Sequence, residues 1–224
     1  MAPKISKTSK MKITGKKVGS WSLPAGTSCP GAKGAEVCEG CYAKKGMYRF
    51  PVVKNVREHN AQDYHRDDWV ADMVKEVSKY DYFRWFDSGD IETVELAKKI
   101  LAVAQLTPKT KHWLPTRSDK ITKINDALHQ PHVTNTIGLP KVSWVNTSSI
   151  KYQSNVALRP SADHIGLNND ERPGVNSYVI RDTDLFEAKR QGIFVCPVTI
   201  DKNRTSCDTC TTCYTNAKVA YLVH

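Results

Sequence analysis

Seven cysteines are the residues of this sequence whose type and spacing could do chemistry. They are Cys29, Cys38 and Cys41 in a first group and Cys196, Cys207, Cys210 and Cys213 in a second. CxxC spacing lets two thiolates reach one metal centre from a single turn, and a CxxCxxC run brings three to one side of a loop. An odd count without an export signal argues against a disulfide framework. The pattern therefore indicates metal ligation by thiolates.

The distribution of the cysteines favours an iron–sulfur cluster over zinc. Structural zinc usually takes its ligands from two paired knuckles, whereas here the groups hold three and four cysteines. Three thiolates leave a [4Fe–4S] cluster with one iron open, and four close it; the C-terminal run also has ferredoxin-like spacing. One cluster sharing both groups, or two separate clusters, would fit the count. Cys196 ends an apolar run and could instead be an ordinary core residue.

Positive charge is concentrated at the start of the chain. The 224 residues carry a formal net charge of +10, and six lysines but no acidic residue lie in the first 17 positions. We expect residues 1–17 to form a basic flexible tail and residues 18–224 to form a single α/β iron–sulfur domain. Such a tail can attract nucleic acid through its phosphates, or it can serve only as a solvated end.

Several classes of protein are excluded or left without support. No apolar run is long enough to cross a membrane, and the first residues lack the apolar segment of a secretory signal. GxGxxG, Walker A and GxSxG motifs are absent, and the histidines show no HxxxH or HExxH spacing. We therefore expect a protein without membrane contact, and structural or exposed histidines.

Apolar runs and helical periodicity alternate along the chain. Strands are expected at 18–23, 82–87, 112–116, 142–146, 176–180 and 193–196, and helices at 52–79, at 92–105 and after a cap at Ser118. Residues 154–174 contain Gly, Pro, Asn and Asp and are expected to be an irregular insertion. The alternation predicts an α/β fold, either an open sheet or a partial (β/α) barrel of about six parallel strands with extended cysteine-bearing loops.

Polar residues follow several of the predicted strands. In open α/β sheets and barrels alike, the carboxyl ends of the strands carry the functional site. The first cysteine loop also follows the first strand, so one edge of the sheet should collect thiols and polar groups. The candidate cofactor-binding residues at this edge are Asp87, Ser88, Gly89, Asp90, Thr116, Arg117 and Asn146.

The first cysteine segment also carries a family resemblance. Leu23-Pro-Ala-Gly-Thr-Ser-Cys29-Pro and Cys38-Glu-Gly-Cys41-Tyr-Ala resemble the phage gene product 88 family, as do Phe86-Asp-Ser-Gly-Asp90, Leu114-Pro-Thr-Arg117 and the C-terminal cysteine run. Such proteins look like compact relatives of radical S-adenosylmethionine (SAM) enzymes. The resemblance implies a partial TIM barrel, a [4Fe–4S] cluster at the first cysteine group, and a phage-encoded protein that acts in the bacterial cytoplasm.

The resemblance to radical SAM enzymes also implies a cofactor chemistry. There, SAM binds the open iron through its amine and carboxylate, and an electron from the cluster cleaves the sulfonium bond to give a carbon radical. Asp87, Ser88 or Asp90 could accept from the amine, Arg117 could donate to the carboxylate, and a reductant protein would supply the electron. The sequence departs from that pattern, with C-x8-C-x2-C in place of C-x3-C-x2-C and Ser88-Gly89-Asp90 in place of Gly-Gly-Glu-Pro.

Three functions therefore remain open at this point. The chain could be a radical SAM-like enzyme acting on a nucleic acid or small molecule, or an iron–sulfur protein for electron transfer, sensing or structure. It could also be a zinc-stabilised nucleic-acid-binding protein. The plainer alternatives are an ordinary turn at Ser88-Gly89-Asp90 with Asp90 capping the next helix, a surface ion pair at Arg117, and core packing for Trp85, Trp113 and Trp144.

Overall fold

Strands and helices alternate over most of the chain. The computed structural model describes residues 2–6, 12–139, 144–167, 174–201, 203–204 and 206–223. The strands are β1 Val18–Trp21, β2 Tyr82–Trp85, β3 Lys111–Thr116, β4 His132–Asn135, β5 Trp144–Thr147, β6 Val156–Ile165, β7 Ser177–Ile180, β8 Phe194–Val195 and β9 Val219–Leu222. The helices are α1 Glu36–Glu39, α2 Pro51–Asp63, α3 Trp69–Val77, α4 Val94–Leu106, α5 Thr122–His129, α6 Leu185–Arg190 and α7 Pro197–Ile200.

Seven of these strands form one sheet in the order β1-β2-β3-β6-β7-β9-β8. Every neighbouring pair in this sheet is parallel. Parallel neighbours need crossover connections, which the intervening helices supply for much of the sheet. The predicted α/β fold with a parallel sheet is thus confirmed, with seven strands where about six were expected.

One face of β1–β3 is apolar and is covered by helices. Trp21, Phe83 and Trp85 have no exposed surface, and their rings meet edge to face. Helix α3 adds Trp69, whose ring lies 5.4 Å from that of Trp21. Helix α4 begins where the Thr93 side chain accepts a hydrogen bond from the backbone N–H of Leu96, an N-cap that fixes the start of the helix.

The opposite face carries polar and aromatic side chains, because successive residues of a strand point to opposite sides. We call it the loop face, and it is defined by Tyr82, Arg84, Trp113, Arg159 and Tyr221. The loop that precedes β9 lies against it, since the Tyr214 ring is 4.7 Å from Tyr82 and 6.0 Å from Trp113. Helices therefore cover the apolar face of the sheet, whereas a loop lies against the loop face.

The strand expected at 142–146 does not belong to the parallel sheet. Residues 142 and 143 lie outside the described ranges, and β5 pairs antiparallel with β4 in a separate two-stranded sheet. The segment after Pro131 forms β4, and an antiparallel partner needs no crossover helix. Trp144 is 56% exposed, so the core-packing alternative is wrong for this tryptophan, although Trp85 does lie in the core.

The prediction of an irregular insertion at 154–174 was also wrong. Residues of this segment form β6, the longest strand, which lies between β3 and β7 near the middle of the sheet. Arg159, Pro160 and Asp163 hide the strand pattern, and proline is unusual in a central strand. The pairing register with β7 shifts between Ser161 and Ile165, an irregularity of the kind that accommodates such residues.

Two helix expectations also need correction. The helix expected over 52–79 is interrupted between α2 and α3, where Arg66 forms ion pairs with Asp63, Asp68 and Asp72. Ser118 is not a helix cap: it opens a short 3-10 turn, and α5 begins only at Thr122.

The described parts of residues 1–17 contact the rest of the chain through backbone groups. The Lys4 N–H donates to Asn60, Ser6 forms a β-bridge with Ser20, and Ile13 is buried and bridges Asp208. The described part of this segment is therefore anchored to the rest of the chain at Lys4, Ser6 and Ile13.

His112 provides a test of the buried core that connects β3 to α4. Its Nδ1 accepts a hydrogen bond from the Trp85 indole N–H at 3.2 Å, and Nε2 lies 3.0 Å from the Thr107 hydroxyl. A proton on Nδ1 would face another donor, and burial lowers the pKa of His112 from 6.5 to about 3. The unfolded chain therefore binds a proton below pH 6.5 that the folded chain excludes, and stability falls between pH 6.5 and about 3.

We predict that His112→Gln flattens this pH dependence. Relative to neutral pH, wild-type protein should lose about 2 kcal/mol of unfolding free energy at about pH 5 through this group, because each pH unit below the unfolded pKa costs about 1.4 kcal/mol. Urea unfolding at both pH values measures the difference. His129→Gln, at an exposed position, is the control, and equal pH slopes in wild type and His112→Gln would contradict the assignment.

Candidate metal centres

The first cysteine group lies on the segment that follows β1. Cys29 precedes a 3-10 turn at Pro30–Ala32, Cys38 lies on α1, and Cys41 precedes a further turn. The three thiols are half-buried, unpaired by disulfides, and close enough to interact electrostatically with one another. This segment therefore brings all three predicted ligands of the group together.

Two glycines allow this segment to lie against the strand ends. A Cβ on Gly31 would stand 2.4 Å from the backbone oxygen of Arg117, and a Cβ on Gly89 would stand 2.5 Å from the Leu23 Cβ. Gly89 also has φ +75°, a conformation that side chains rarely adopt. The cysteine segment thus packs directly on the turns that follow β2 and β3.

Asp90 joins these turns through its carboxylate. Oδ1 accepts from the Thr116 hydroxyl at 2.6 Å and from the Ile91 N–H at 2.7 Å, while Oδ2 accepts from the Arg117 N–H at 2.8 Å. The Asp90 N–H donates to the Ser28 carbonyl. Asp90 thus connects the end of β2, the end of β3 and the cysteine segment. Burial raises the pKa of Asp90 despite these hydrogen bonds.

Asp87 is also engaged, in a cluster of arginines and tyrosines. Its carboxylate accepts from Arg84 and from the Tyr48 hydroxyl, both at 2.8 Å, and lies 3.9 Å from Arg57. The Tyr42 hydroxyl donates to the Asp87 carbonyl at 2.8 Å. Asp87 therefore ties the residues after Cys41 to the end of β2.

The remaining candidates divide between this edge and a distant position. The Ser88 hydroxyl donates to the Leu23 carbonyl and accepts from Arg57. Arg117 donates from Nε to the Ala162 carbonyl at 3.0 Å, and its charge is close enough to Cys38 to act on that thiol. Asn146 lies apart on β5, where its carbonyl accepts from Gln105, so it does not join the edge as expected.

The environments of Cys29 and Cys38 favour protonated thiols. Burial raises the pKa of Cys29 to about 11 and also raises the pKa of Cys38, although Arg117 partly opposes the latter shift. A thiolate at these positions therefore needs a nearby positive charge, and a bound metal would supply one.

The second cysteine group gathers on the loop face. Cys196 follows β8, and Cys207, Cys210 and Cys213 lie on the loop that precedes β9. The charge on Cys207 would interact with all three other thiols of the group, so Cys196 joins the C-terminal run rather than the core. Burial raises the pKa of Cys207 to about 12 and raises those of Cys196 and Cys213.

Arg159 holds the backbone of the second group. Its guanidinium has no exposed surface and donates to the carbonyls of Thr212 at 3.1 Å, Cys213 at 3.4 Å and Asn176 at 3.2 Å, and also to that of Ala217. The Cys213 sulfur lies 3.2 Å from the Tyr221 hydroxyl on β9. The loop is thus fixed to the sheet from β6 and from β9.

All seven cysteines are free and half-buried. The thiols of each group are therefore ligands of the type that a thiolate-ligated cluster requires. Across the part of the chain that the structure describes, no three His, Cys, Asp or Glu side chains are arranged to hold a metal ion. The thiols are therefore gathered within each group without forming a finished chelate.

Sequence reasoning missed the arginines and tyrosines that surround the thiols. Arg84 and Arg159 each interrupt an apolar strand, and a charged residue at such a position is the signal that could have identified them. Tyr42 and Tyr48 gave no comparable signal, because their partner Asp87 is remote in sequence.

The fold and this site define a parallel α/β protein with two groups of free cysteines, one at the carboxyl ends of β1–β3 and one on the loop face. The chain belongs to the gene product 88 family of phage proteins, whose family model matches residues 2–218. This confirms the family resemblance found in the sequence. No curated protein and no solved structure matches the chain. Within the described ranges, no helix is long and apolar enough to cross a membrane.

We predict that Gly31→Ala displaces the first cysteine segment. The new Cβ would overlap backbone atoms at the end of β3, which cannot move as a flexible side chain can. Overpacking of this kind costs roughly 1–3 kcal/mol, and thermal unfolding would measure the loss. Gly40→Ala is the matched control, because its Cβ would meet nothing within 4 Å. Equal melting temperatures for the two variants would show that the close approach is unimportant.

Proposed function

We propose that this phage protein is an iron–sulfur protein that resembles radical SAM enzymes. In this proposal Cys29, Cys38 and Cys41 hold a [4Fe–4S] cluster with one iron open, at the carboxyl edge of the parallel sheet. The observation that carries the proposal is the convergence of these thiols from separate turns onto the strand ends beside Asp90 and Arg117.

The carboxyl edge is where α/β folds place their reactive groups. Three thiolates suit a cluster that keeps one position for a ligand. With SAM bound, the cluster would supply the electron that cleaves the sulfonium bond. Arg117 lies beside Cys38 with its Nε donating to Ala162, and its remaining N–H groups suit the SAM carboxylate.

A second candidate function is an iron–sulfur protein for electron transfer, sensing or structure, without SAM chemistry. The specific observation in its favour is that Asp87, Ser88 and Asp90 are all engaged in hydrogen bonds within the protein. These are the residues proposed to accept from the SAM amine. SAM binding would require one of them to exchange partners.

We also infer that the sheet curves as a partial (β/α) barrel. The contacts of Tyr214 with Tyr82 and Trp113 support this shape, because they bring the loop before β9 across the sheet to β2 and β3. In a barrel-like sheet the carboxyl ends of distant strands converge on one opening.

Two partners belong to this proposal. A reductant protein would dock beside Cys41, where Tyr42, Met47 and Phe50 are each more than half exposed. Nucleic acid is the other partner, attracted by the lysines of residues 1–17. The proposed setting is the cytoplasm of the bacterial host.

We predict that Cys38→Ala and Cys41→Ala each lose the iron and sulfide of the first centre. Each removes one of only three thiolates, and an incomplete ligand set releases the cluster. Iron, sulfide and zinc would be measured on full-length protein prepared without oxygen, with the paramagnetic resonance spectrum of the reduced form. Gly40→Ala leaves both cysteines in place and is the control for handling.

The outcomes separate the candidate functions. Altered cluster spectra on addition of SAM, or formation of 5′-deoxyadenosine, would support the radical SAM-like enzyme. Iron and sulfide without either response would leave the second candidate. Colourless protein that contains zinc and no sulfide would overturn both and favour the zinc-stabilised nucleic-acid-binding alternative.

A further inference from the structure

We propose that the second cysteine group is a separate metal–thiolate centre whose negative charge is partly offset by Arg159. Its ligands are Cys196, Cys207, Cys210 and Cys213. The proposal goes beyond the function proposed for the first group and does not require it. The chemistry is a metal bound by four thiolates, either an iron–sulfur cluster or zinc, and both carry net negative charge.

The first argument is the charge of Arg159. A buried guanidinium is costly unless it faces negative charge. Among the described residues, none of the carboxylates forms an ion pair with Arg159, and its hydrogen bonds all go to backbone carbonyls. These carbonyls satisfy the N–H donors but carry only partial charges. The groups close to Arg159 that can carry full negative charge are Cys213 and Tyr221.

The second argument is the chemistry of these two neighbours. The Tyr221 hydroxyl forms a single hydrogen bond with the Cys213 sulfur at 3.2 Å, and Tyr221 is partly buried on β9. A thiolate ligand needs this kind of outer partner, because hydrogen bonds to sulfur stabilise bound thiolates. Tyr221 therefore contacts the Cys213 sulfur from β9, and Arg159 on β6 is close enough for its charge to act on the same thiol.

The third argument is the wider field around the group. Arg84 lies near Cys213, and Arg204 lies near Cys196 and Cys207, where it also donates to the Cys207 carbonyl at 3.0 Å. Arg84 forms an ion pair with Asp87, and Arg204 forms one with Asp208. Arg159 thus contributes an uncompensated positive charge to this group.

The first cysteine group has a different field. Asp90 and Asp163 lie close to Cys38 together with Arg117. Negative neighbours are unfavourable for an anionic four-thiolate centre, whereas three thiolates with an open position carry less charge. The contrast indicates two sites of different ligand number rather than one site shared by all seven cysteines.

Two triple variants test whether the second centre exists. Cys29, Cys38 and Cys41→Ala removes the first group, and Cys207, Cys210 and Cys213→Ala removes the second. Metal and sulfide would be measured on both full-length proteins prepared without oxygen. We expect the variant without the first group to retain the metal of the second centre. We expect the variant without the second group to lack that metal. Iron with sulfide identifies a cluster, and zinc without sulfide identifies a mononuclear site.

These variants distinguish the two proposals. Metal retained in the first-group variant together with none in the second-group variant would uphold this centre and remove the function proposed for the first group. A first-group variant without metal would overturn the separate centre, as would a second-group variant with the wild-type metal content.

Arg159 is tested as a positioning residue through Arg159→Met and Arg159→Lys. In the first-group triple variant, we expect Arg159→Met to release metal to a chelator about tenfold faster, since loss of outer partners weakens metal sites by about 10–100-fold. Arg159→Lys keeps the positive charge, so its rate of metal release should lie between the rates measured with Arg159 and with Arg159→Met. Arg66→Met, which breaks a three-carboxylate cluster elsewhere, controls for general loss of stability.

A second measurement removes the ambiguity of misfolding. If Arg159 neutralises thiolates, Arg159→Met should lower the melting temperature of metal-loaded protein more than that of the variant lacking Cys207, Cys210 and Cys213, because the two changes are coupled. Equal chelator rates in Arg159→Met and Arg66→Met, or equal melting shifts in both backgrounds, would overturn the charge role.

Discussion

The hydrogen bonds of the Asp90 carboxylate are the constraint on which the first site depends. A buried carboxylate is expensive to desolvate, and the cost is tolerable only where donors surround it. Thr116, Ile91 and Arg117 supply those donors from two elements of the chain, and Ser28 receives the Asp90 N–H. One side chain thus fixes the relative position of two strand ends and of the segment that carries the first cysteines.

Two residues of the same turn have positive φ angles, which are strained for Phe86 but not for a glycine. Phe86, a bulky residue, has φ 59°, and Gly89 has φ 75°. The turn at Phe86 lets its ring pack edge to face on Trp21, while the next residue, Asp87, reaches Arg84 on the loop face. Strain of this kind persists where surrounding contacts determine it, and such positions often lie at functional sites. The turn is therefore the point at which the two faces of the sheet are connected.

The sequence predicted the alternation of strands and helices, because apolar periodicity is strong in β1–β3 and α4. It did not predict β6, because Arg159 and Pro160 disrupt a strand that is stabilised by neighbours on both sides. It placed the thiols correctly into two groups, since spacing within each group is local. The partners of Asp87 and the position of Asn146 depend on long-range pairing, which a single sequence does not encode as a pattern.

The two faces of the sheet suggest why the cysteine segments lie where they do. Parallel sheets are usually covered by helices on both faces, and here the apolar face of β1–β3 has such a cover. The loop face instead has irregular segments, the buried Arg159 and backbone carbonyls, which provide little apolar surface for packing. In the proposed protein, metal–thiolate bonds would join those segments to one another, as structural metals do in small domains with limited cores. The positive charge of Arg159 beneath the second segment would then stabilise the protein, because it would face an anion.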